Sequence, residues 1–319
     1  MSRYIVERLL MLIPVLLSVA FIIFAIMNAA EGDPVYSVVS ADATQEQIEA
    51  ARIELGLDGT LIQRYFRYVG GMIKGDLGTS YVSKRDVMQT YMMRLPNTLK
   101  LAAASMVVAL VISIPLGIIA AVNQNSIRDA VSMVLALLGL SMPNFWLGLL
   151  LILLFSLRLG WFPSAGYEDG LRSIILPAIT NGTGLAAFMT RATRSSMLDV
   201  VRQDFLRTAR AKGVTERKVI RKHALRNALI PIITVFGVQF SNVLGGSVLV
   251  ETVFAWPGVG RLVVDAIEQR DIPTVTGALV MTTMLVTITN LLIDIVYAYV
   301  DPRIKSQYAK KGFKLWKRT

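Results

Sequence analysis

The sequence predicts an all-α, polytopic membrane protein with six transmembrane helices, and three observations carry that expectation. Of 319 residues, 54% are hydrophobic and only 17% charged, where soluble domains average about 25% charged. The runs Leu9 to Ala30, Leu101 to Val122, Ala130 to Leu157, Ala228 to Val250 and Ile272 to Ile293 contain no Asp, Glu, Lys or Arg. A helix crossing about 30 Å of hydrocarbon needs about 20 such residues. Third, charge is segregated between the runs. Segments 31–97, 158–172 and 251–271 carry −2, 0 and −2, whereas 1–8, 123–129, 191–227 and 301–319 carry +1, 0, +8 and +6. Lys and Arg are retained on the cytoplasmic side of membranes, so both termini are expected in the cytoplasm.

Residues 1–30 form an N-terminal segment and the first transmembrane helix. Their apolar run is longer than the about 7 to 15 residues of a signal-peptide h-region. Residues 31–97 read as an extracytoplasmic helical insertion. There Thr44 with Gln47 forms a capping box, Ile48, Ala51 and Leu55 share one face, and Gly56 ends the helix. Residues 98–300 hold the other five spans. Ala130 to Leu157 reads as one span broken at Ser141-Met142-Pro143-Asn144. Ser173 to Thr190 is the most polar span, carrying Thr180, Asn181, Gly182, Thr183 and Gly184, and is expected to avoid lipid. Residues 301–319 read as a basic cytoplasmic tail.

Composition removes most enzyme chemistry. The chain has no cysteine and one histidine, His223, which excludes disulfides, thiol catalysis and His-rich metal sites. No Gly-Lys pair occurs, so the phosphate-cradling Gly-x4-Gly-Lys loop is missing; if ATP drives this protein, another subunit binds it. The net charge of +11 reflects membrane topology rather than nucleic acid. Gly182-Thr183-Gly184-Leu185-Ala186-Ala187 matches a dinucleotide fingerprint in letters, but lies inside an apolar span rather than after a strand.

Residues 197–227 form a basic loop with its own structure. Val201, Phe205 and Ala209 are placed on one face of a first helix, Gly213 supplies a left-handed turn, and Thr215 caps a second helix starting at Glu216. The pair reads either as a helix-turn-helix along the membrane or as an amphipathic segment binding anionic lipid. In the fifth span Gly237, Ser241 and Gly245 recur every four residues, leaving a groove for a close helix, from this chain or a second one. Thr234, Gln239 and Asn242, with Asn181 and Thr183, are expected to face the bundle interior, as pathway lining or as hydrogen bonds between helices. Asp294 is read as interfacial.

Arg207-Thr208-Ala209-Arg210-Ala211-Lys212-Gly213, then Lys222-His223-Ala224-Leu225-Arg226-Asn227-Ala228 and Pro231, resembles the cytoplasmic coupling loop of inner permeases of binding-protein-dependent ABC importers, in the dipeptide, oligopeptide and nickel branch. Gly32-Asp33-Pro34, Leu55-Gly56-Leu57-Asp58, Gly75-Asp76-Leu77-Gly78, Ser141-Met142-Pro143-Asn144-Phe145-Trp146, Glu251-Thr252-Val253-Phe254-Ala255-Trp256-Pro257-Gly258 and Asp301-Pro302-Arg303 follow in the family's order. Arg207 and Thr208 stand where the broader permease pattern has Glu and Ala, Ala209 and Gly213 match it, and Pro231 falls five residues late.

The resemblance implies a core permease domain over 98–300, with Ala209, Gly213, Val214, Thr215, Glu216 and Arg217 at the contact with an ATPase, while Arg210, Lys212 and Arg217 serve solubility and lipid contact. It implies no catalytic residue, no metal and no cofactor in this chain; ATP and Mg would be bound by partner ATPase subunits. The implied partners are a second homologous permease, two ATP-binding subunits, an extracytoplasmic solute-binding protein and membrane lipid, with no nucleic acid. The implied place is the cytoplasmic (inner) membrane of a prokaryote. Di- and oligopeptides are the first cargo, with a nickel chelate or glutathione behind them. A proton-coupled secondary carrier has no reason to keep the coupling loop. An intramembrane hydrolase would need paired catalytic groups in its spans, which the chain lacks.

Overall fold

The computed structural model of the chain describes residues 2–29, 33–40 and 42–300. Gly32 of the Gly-Asp-Pro motif, Asp301-Pro302-Arg303 and the tail expected over 301–319 lie outside them. Among the described residues thirteen α-helices follow one another: α1 (Ser2–Ala29), α2 (Gln45–Glu54), α3 (Leu61–Ile73), α4 (Val87–Val122), α5 (Ile127–Ser141), α6 (Asn144–Leu151), α7 (Leu171–Val201), α8 (Asp204–Ala211), α9 (Glu216–Lys218), α10 (Leu225–Gly246), α11 (Val248–Val253), α12 (Val259–Glu268) and α13 (Ile272–Val300). Among the described residues the only extended pairing is an isolated bridge, Thr79 to Asp86. Five of the described helices are long and apolar enough to cross a membrane, and the bent pair Ile127–Ser141 with Asn144–Arg158 would make a sixth. That pair bends by 97° at the expected break. Pro143 forces Met142 into extended backbone, with ψ 123°, because a residue before proline cannot stay helical without a clash.

Contacts divide the chain into two units. One comprises Ser2–Thr98 and Pro257–Ile288. The expected capping box of α2 is present: Thr44 Oγ1 accepts from Gln47 N–H and Gln47 Oε1 from Thr44 N–H. Gly56 follows with φ +64°, a conformation costing a residue with a Cβ about 1–2 kcal/mol. Ile48, Ala51 and Leu55 pack on Val35, Leu57, Tyr81 and Ile272. A second capping box, Thr60 with Gln63, starts α3, and Tyr65 on that helix donates to the Leu17 carbonyl of α1 at 3.0 Å.

The insertion is expected to end at 97, yet α4 runs unbroken from Val87. Arg94 and Lys100 end the charge-free run in sequence but not the helix in space. The first turns of α4 are anchored within this unit: Asn97 Nδ2 donates to the Pro257 carbonyl at 3.1 Å and Thr98 Oγ1 accepts from Val259 N–H at 2.8 Å. The 257–271 segment, expected as a loop of the core domain, therefore clusters with the N-terminal unit.

Asp271 is the polar centre of this unit. It is 4% exposed and accepts from Ser80 Oγ at 2.5 Å, Tyr81 N–H at 3.0 Å and Thr274 Oγ1 at 2.7 Å. Burial, with Asp271 beside it, pushes the Tyr81 hydroxyl up to about 12. Arg270, immediately before, is held at φ +54° so that Asp271 N–H reaches the Ala266 carbonyl at 2.9 Å.

The other unit contains Leu99–Trp256 and the residues from 289 on. Its centre is α7, which packs chiefly against α10 and α5. Thr180, Thr183 and Thr190 satisfy their hydroxyls on carbonyls four residues back at 2.7 to 2.8 Å, the bond available to such residues inside a helix. Close approach is set by glycine. A Cβ on Gly182 would sit 2.7 Å from Val108 and 2.8 Å from the Ser105 carbonyl, and one on Gly117 would sit 2.5 Å from Thr193. Both contacts join α4 to α7, the small-residue packing that lets backbones meet where lipid supplies no hydrophobic drive.

Asp271→Ala strands three buried donors, each costing about 1–3 kcal/mol when left unpaired, some of which water recovers. Thermal unfolding in mild detergent is expected to show a loss of about 2–4 kcal/mol, with Asp271→Asn losing less because it keeps an acceptor oxygen.

Candidate coupling loop and transport pathway

The loop over 197–227 contains the expected first helix, left-handed turn at Gly213 and second helix from Glu216, with differences in which residues they bury and where they end. Val201 closes α7 and does not lie on α8. On α8 the buried residue is Leu206, at 0% exposure, while Phe205 is 44% exposed. Leu206 packs with Met197, Val219, Ile220, Ala224 and Ala228, and Ala209 and Val214 lie against that cluster. A side chain one position from Phe205 points about 100° away around a helix, so Leu206 takes the buried position and Phe205 points out, while Val201 and Ala209 both lie against the cluster as expected.

The turn itself falls at Gly213. After α8, Gly213 adopts φ +75°, its N–H donates to the Arg210 carbonyl at 2.9 Å, and Val214 N–H donates to the Ala209 carbonyl at 3.3 Å. Those two bonds, with Val214 and Ala209 in one apolar cluster, constitute a Schellman C-cap. A Cβ on Gly213 would meet no heavy atom within 4 Å, so the demand for glycine comes from the backbone alone. Thr215 stands at the N-cap position of α9, but its side chain makes no capping bond. Its carbonyl accepts from Lys218 and Val219 N–H instead.

Glu216 braces the turn. Arg210 Nε and Nη2 donate to its two carboxylate oxygens at 3.0 and 2.9 Å, and this bond raises the Arg210 guanidinium above its usual range. Arg210 thus has a structural partner within the turn while staying 36% exposed. The second helix does not stop inside the loop: from Glu216 the chain is helical to Gly246 over 31 residues, widening to π geometry at Val219–Ala224. Such widened turns often occur at functional sites.

The residues expected to line a pathway occupy different surroundings. Asn181 is 5% exposed and its Nδ2 has no hydrogen-bond partner. Asn242 Nδ2 donates to Gln239 Oε1 at 2.9 Å. Asn181 and Asn242 line one cavity of about 360 Å³, together with Asn144, Gly184, Phe188 and Gly246. Thr183 is turned toward α5, where a Cβ on Gly139 would sit 2.9 Å from its methyl. Thr234 bonds back to the Ile230 carbonyl at 3.1 Å and does not line the cavity. Of the small-residue row, a Cβ on Gly237 would lie 2.5 Å from Ile293 of α13, Ser241 is buried, and Gly245 is exposed.

Two features escaped the reading of charges. Glu251, counted with a loop, is 0% exposed and accepts from Ser247 Oγ at 3.0 Å; the serine four residues earlier was its only sequence signal. Asp129, counted as neutralising Arg128, is buried and receives Arg194 Nε and Nη2 at 2.7 Å each, besides the Asn125 N–H at 3.0 Å. Arg202 Nη2 also donates to Gln124 Oε1 at 3.0 Å. The short loop before α5 is thereby fastened to α7 beside the 197–227 segment. No group of His, Asp or Glu among the described residues could hold a metal ion.

A bundle of apolar spans around one polar helix, with an ordered, basic segment between two spans, defines a membrane-embedded transport subunit. The family is explicit in the sequence: the chain belongs to the inner membrane components of binding-protein-dependent transport systems. The model of that family matches residues 113–306, and its N-terminal companion matches 1–102. The chain is 45% identical over 315 residues to the oligopeptide transport system permease protein AppB of Bacillus subtilis (strain 168), covering 96% of this chain and 100% of that one. It is 43% identical over 305 residues to the glutathione transport system permease protein GsiC of Escherichia coli (strain K12), covering 96% and 99%. Among solved structures, inward-facing conformations of the MetNI methionine ABC transporter align with TM-score 0.58 at 20% identity, over 67% of this chain and 97% of theirs. An amino acid ABC transporter with histidines aligns at TM-score 0.52 and 14% identity, over 66% and 94%. Both share the fold. The protein is a multi-pass permease subunit of an ABC importer in the inner membrane, a family whose members work with an ATPase and a solute-binding protein.

Removing one member of a buried ion pair costs about 3–5 kcal/mol; with Arg194 partly exposed, Asp129→Ala is expected to lose about 2–4 kcal/mol in detergent unfolding. The exchange Asp129→Arg with Arg194→Asp is expected to recover at least half of that, and no recovery would show that the pair itself is not what holds the loop.

Proposed function

We propose that this permease carries short peptides inward. Its near-full-length similarity to an oligopeptide permease carries this reading, and glutathione, the cargo in the name of a second relative, is a tripeptide-like molecule that the same pathway would accept. The permease pairs with a second, homologous permease. Two ATP-binding subunits hold ATP and Mg and perform the hydrolysis, and an extracytoplasmic solute-binding protein delivers the cargo. Both termini and the 197–227 loop face the cytoplasm, in accord with the +8 charge of residues 191–227 and the retention of Lys and Arg on that side.

In this reading Ala209, Gly213, Val214, Thr215, Glu216 and Arg217 form the surface seated on an ATPase. The Schellman turn and the Arg210–Glu216 brace support it, because they give the turn one shape. The helix continuing from Glu216 to Gly246 supports it further: closure of the ATPases would move turn and span as one rigid body, the kind of motion by which such switches act. Exposed ion pairs contribute only about 0–1 kcal/mol, so the shape of the turn, not its charge, governs docking.

Reconstituted with its partner permease, ATPases and binding protein in liposomes, the chain is expected to support ATP-dependent uptake of a labelled tripeptide. Uptake driven by a proton gradient without ATP would replace this reading with a secondary carrier. In the same liposomes Gly213→Val is expected to lower uptake at least tenfold per ATP hydrolysed, while Gly213→Asn, which tolerates the left-handed conformation, stays within about threefold. Equal coupling in both variants would remove the turn from the docking surface.

A further inference from the structure

We infer that the cavity between α5, α6, α7 and α10 is a subsite that binds one peptide bond of the cargo during passage, an assignment that rests on the peptide reading above. The cavity of about 360 Å³ contains no Asp, Glu, Lys or Arg in its wall. A charged terminus of a peptide placed there would lose its hydration with no counter-charge, at heavy cost. The polar groups present are the carboxamides of Asn144, Asn181 and Asn242, with the Ser247 hydroxyl, which is committed to Glu251. A carboxamide offers both a donor and an acceptor, the complement of the N–H and C=O of a peptide bond. A volume near 360 Å³ falls in the range of about 300–1,000 Å³ typical of small-ligand sites.

The carboxamides have distinct roles. Asn181 is 5% exposed with Nδ2 unpartnered, and a buried donor left without an acceptor is unfavourable; a cargo carbonyl oxygen relieves it. Thr180, Thr183 and Thr190 of the same helix satisfy themselves on their own backbone; Thr193 Oγ1 is unpartnered too but lies outside the cavity wall, and Asn181 is the buried unpartnered group within it. Asn144 Oδ1 lies in the same wall beside Gly184, 3.5 Å from where a Cβ there would stand, and accepts the cargo N–H. Asn242 is held by Gln239 Oε1 at 2.9 Å, which fixes the third carboxamide. Gly184 and Gly246 leave the wall open: a Cβ on Gly246 would meet no heavy atom within 4 Å. Phe188, Leu185 and Leu140 supply the apolar surface against which uncharged cargo side chains rest. The subsite therefore selects for the backbone amide common to all peptides and leaves side-chain identity unread.

The test uses the complex of both permeases and ATPases in lipid nanodiscs, without the binding protein. The probes are radiolabelled trialanine and its analogue with an ester oxygen in place of one peptide N–H. Trialanine is expected to bind at least tenfold more tightly than the ester. Asn144→Leu, which removes the acceptor for that N–H, is expected to shrink the preference to within twofold. Asn181→Leu is expected to weaken both probes at least fivefold and keep the preference, a pattern that general misfolding does not produce. Equal binding of the two probes to the unaltered complex, or no binding while the full system imports trialanine, overturns the subsite and leaves the peptide reading standing. Failure of the full system, binding protein included, to import trialanine overturns the peptide reading and the subsite with it.

Discussion

One constraint organises the membrane part of this protein: α7 carries too many polar groups to face lipid, and every neighbouring helix is arranged to cover it. Hydroxyl and amide groups in hydrocarbon are costly unless bonded. Thr180, Thr183 and Thr190 within α7 bond to their own carbonyls, which removes the cost of those hydroxyls but not the need for packing. Gly117 on α4, Gly139 on α5 and Gly182 on α7 itself each sit where a Cβ would collide with the facing helix at under 3.0 Å. These close contacts wrap α4 and α5 around α7, and α10 completes the enclosure. Ser173, Asn181 and Thr193 are left with unpartnered polar atoms on α7, and of these only Asn181 lines the cavity, which is open where Gly184 and Gly246 place no side chain.

Order at the 197–227 segment has a separate origin. Its apolar cluster around Leu206, Val219 and Ala224 is a small core of its own, so the segment is folded rather than draped on lipid. The left-handed Gly213 reverses the chain at no steric cost. Arg210 and Glu216 fasten the two sides of the reversal, and Asp129 with Arg194 fastens the neighbouring loop to α7. The helix leaving the turn enters the membrane without interruption, so the shape of the turn and the position of a span are mechanically one variable. Proline plays the opposite part at Met142-Pro143, where the chain must bend by 97° and does so at the one place where the helix cannot continue.

Sequence patterning exposed the local features well. Thr44 with Gln47, the turn at Gly213 and the break at Pro143 are each decided by a few adjacent residues, and the structure contains all three. Of the face expected for α8, Val201 ends the preceding helix yet packs with Ala209 on the same cluster, whereas Phe205 is exposed because Leu206 takes the buried position. The extent of α4 was hidden because Arg94 and Lys100 interrupt the charge-free run, although Lys100 simply reaches out over the Tyr167 ring, 5.1 Å from its centroid. Counting charge along a chain says nothing of the partner of Asp129, 65 residues away, nor of the burial of Glu251, whose hydroxyl donor Ser247 is only four residues back.

The sequence by itself determined the class of protein. Charge-free runs long enough to cross a bilayer, their segregated flanking charge and the motif around Gly213 are local properties, and the thermodynamics of inserting apolar helices acts on each run almost independently of the others. Tertiary structure alone decided which of the polar residues share a site. Asn181 and Asn242 meet at one cavity with Asn144, whereas Thr183 is spent on packing against Gly139 and Thr234 on its own backbone. Gly237, Ser241 and Gly245, evenly spaced in sequence, divide between a contact with α13 and an exposed position. That division depends on helix rotation and separation, which are fixed by the glycine contacts between distant segments, and a spacing rule within one helix carries no information about the helix it will meet.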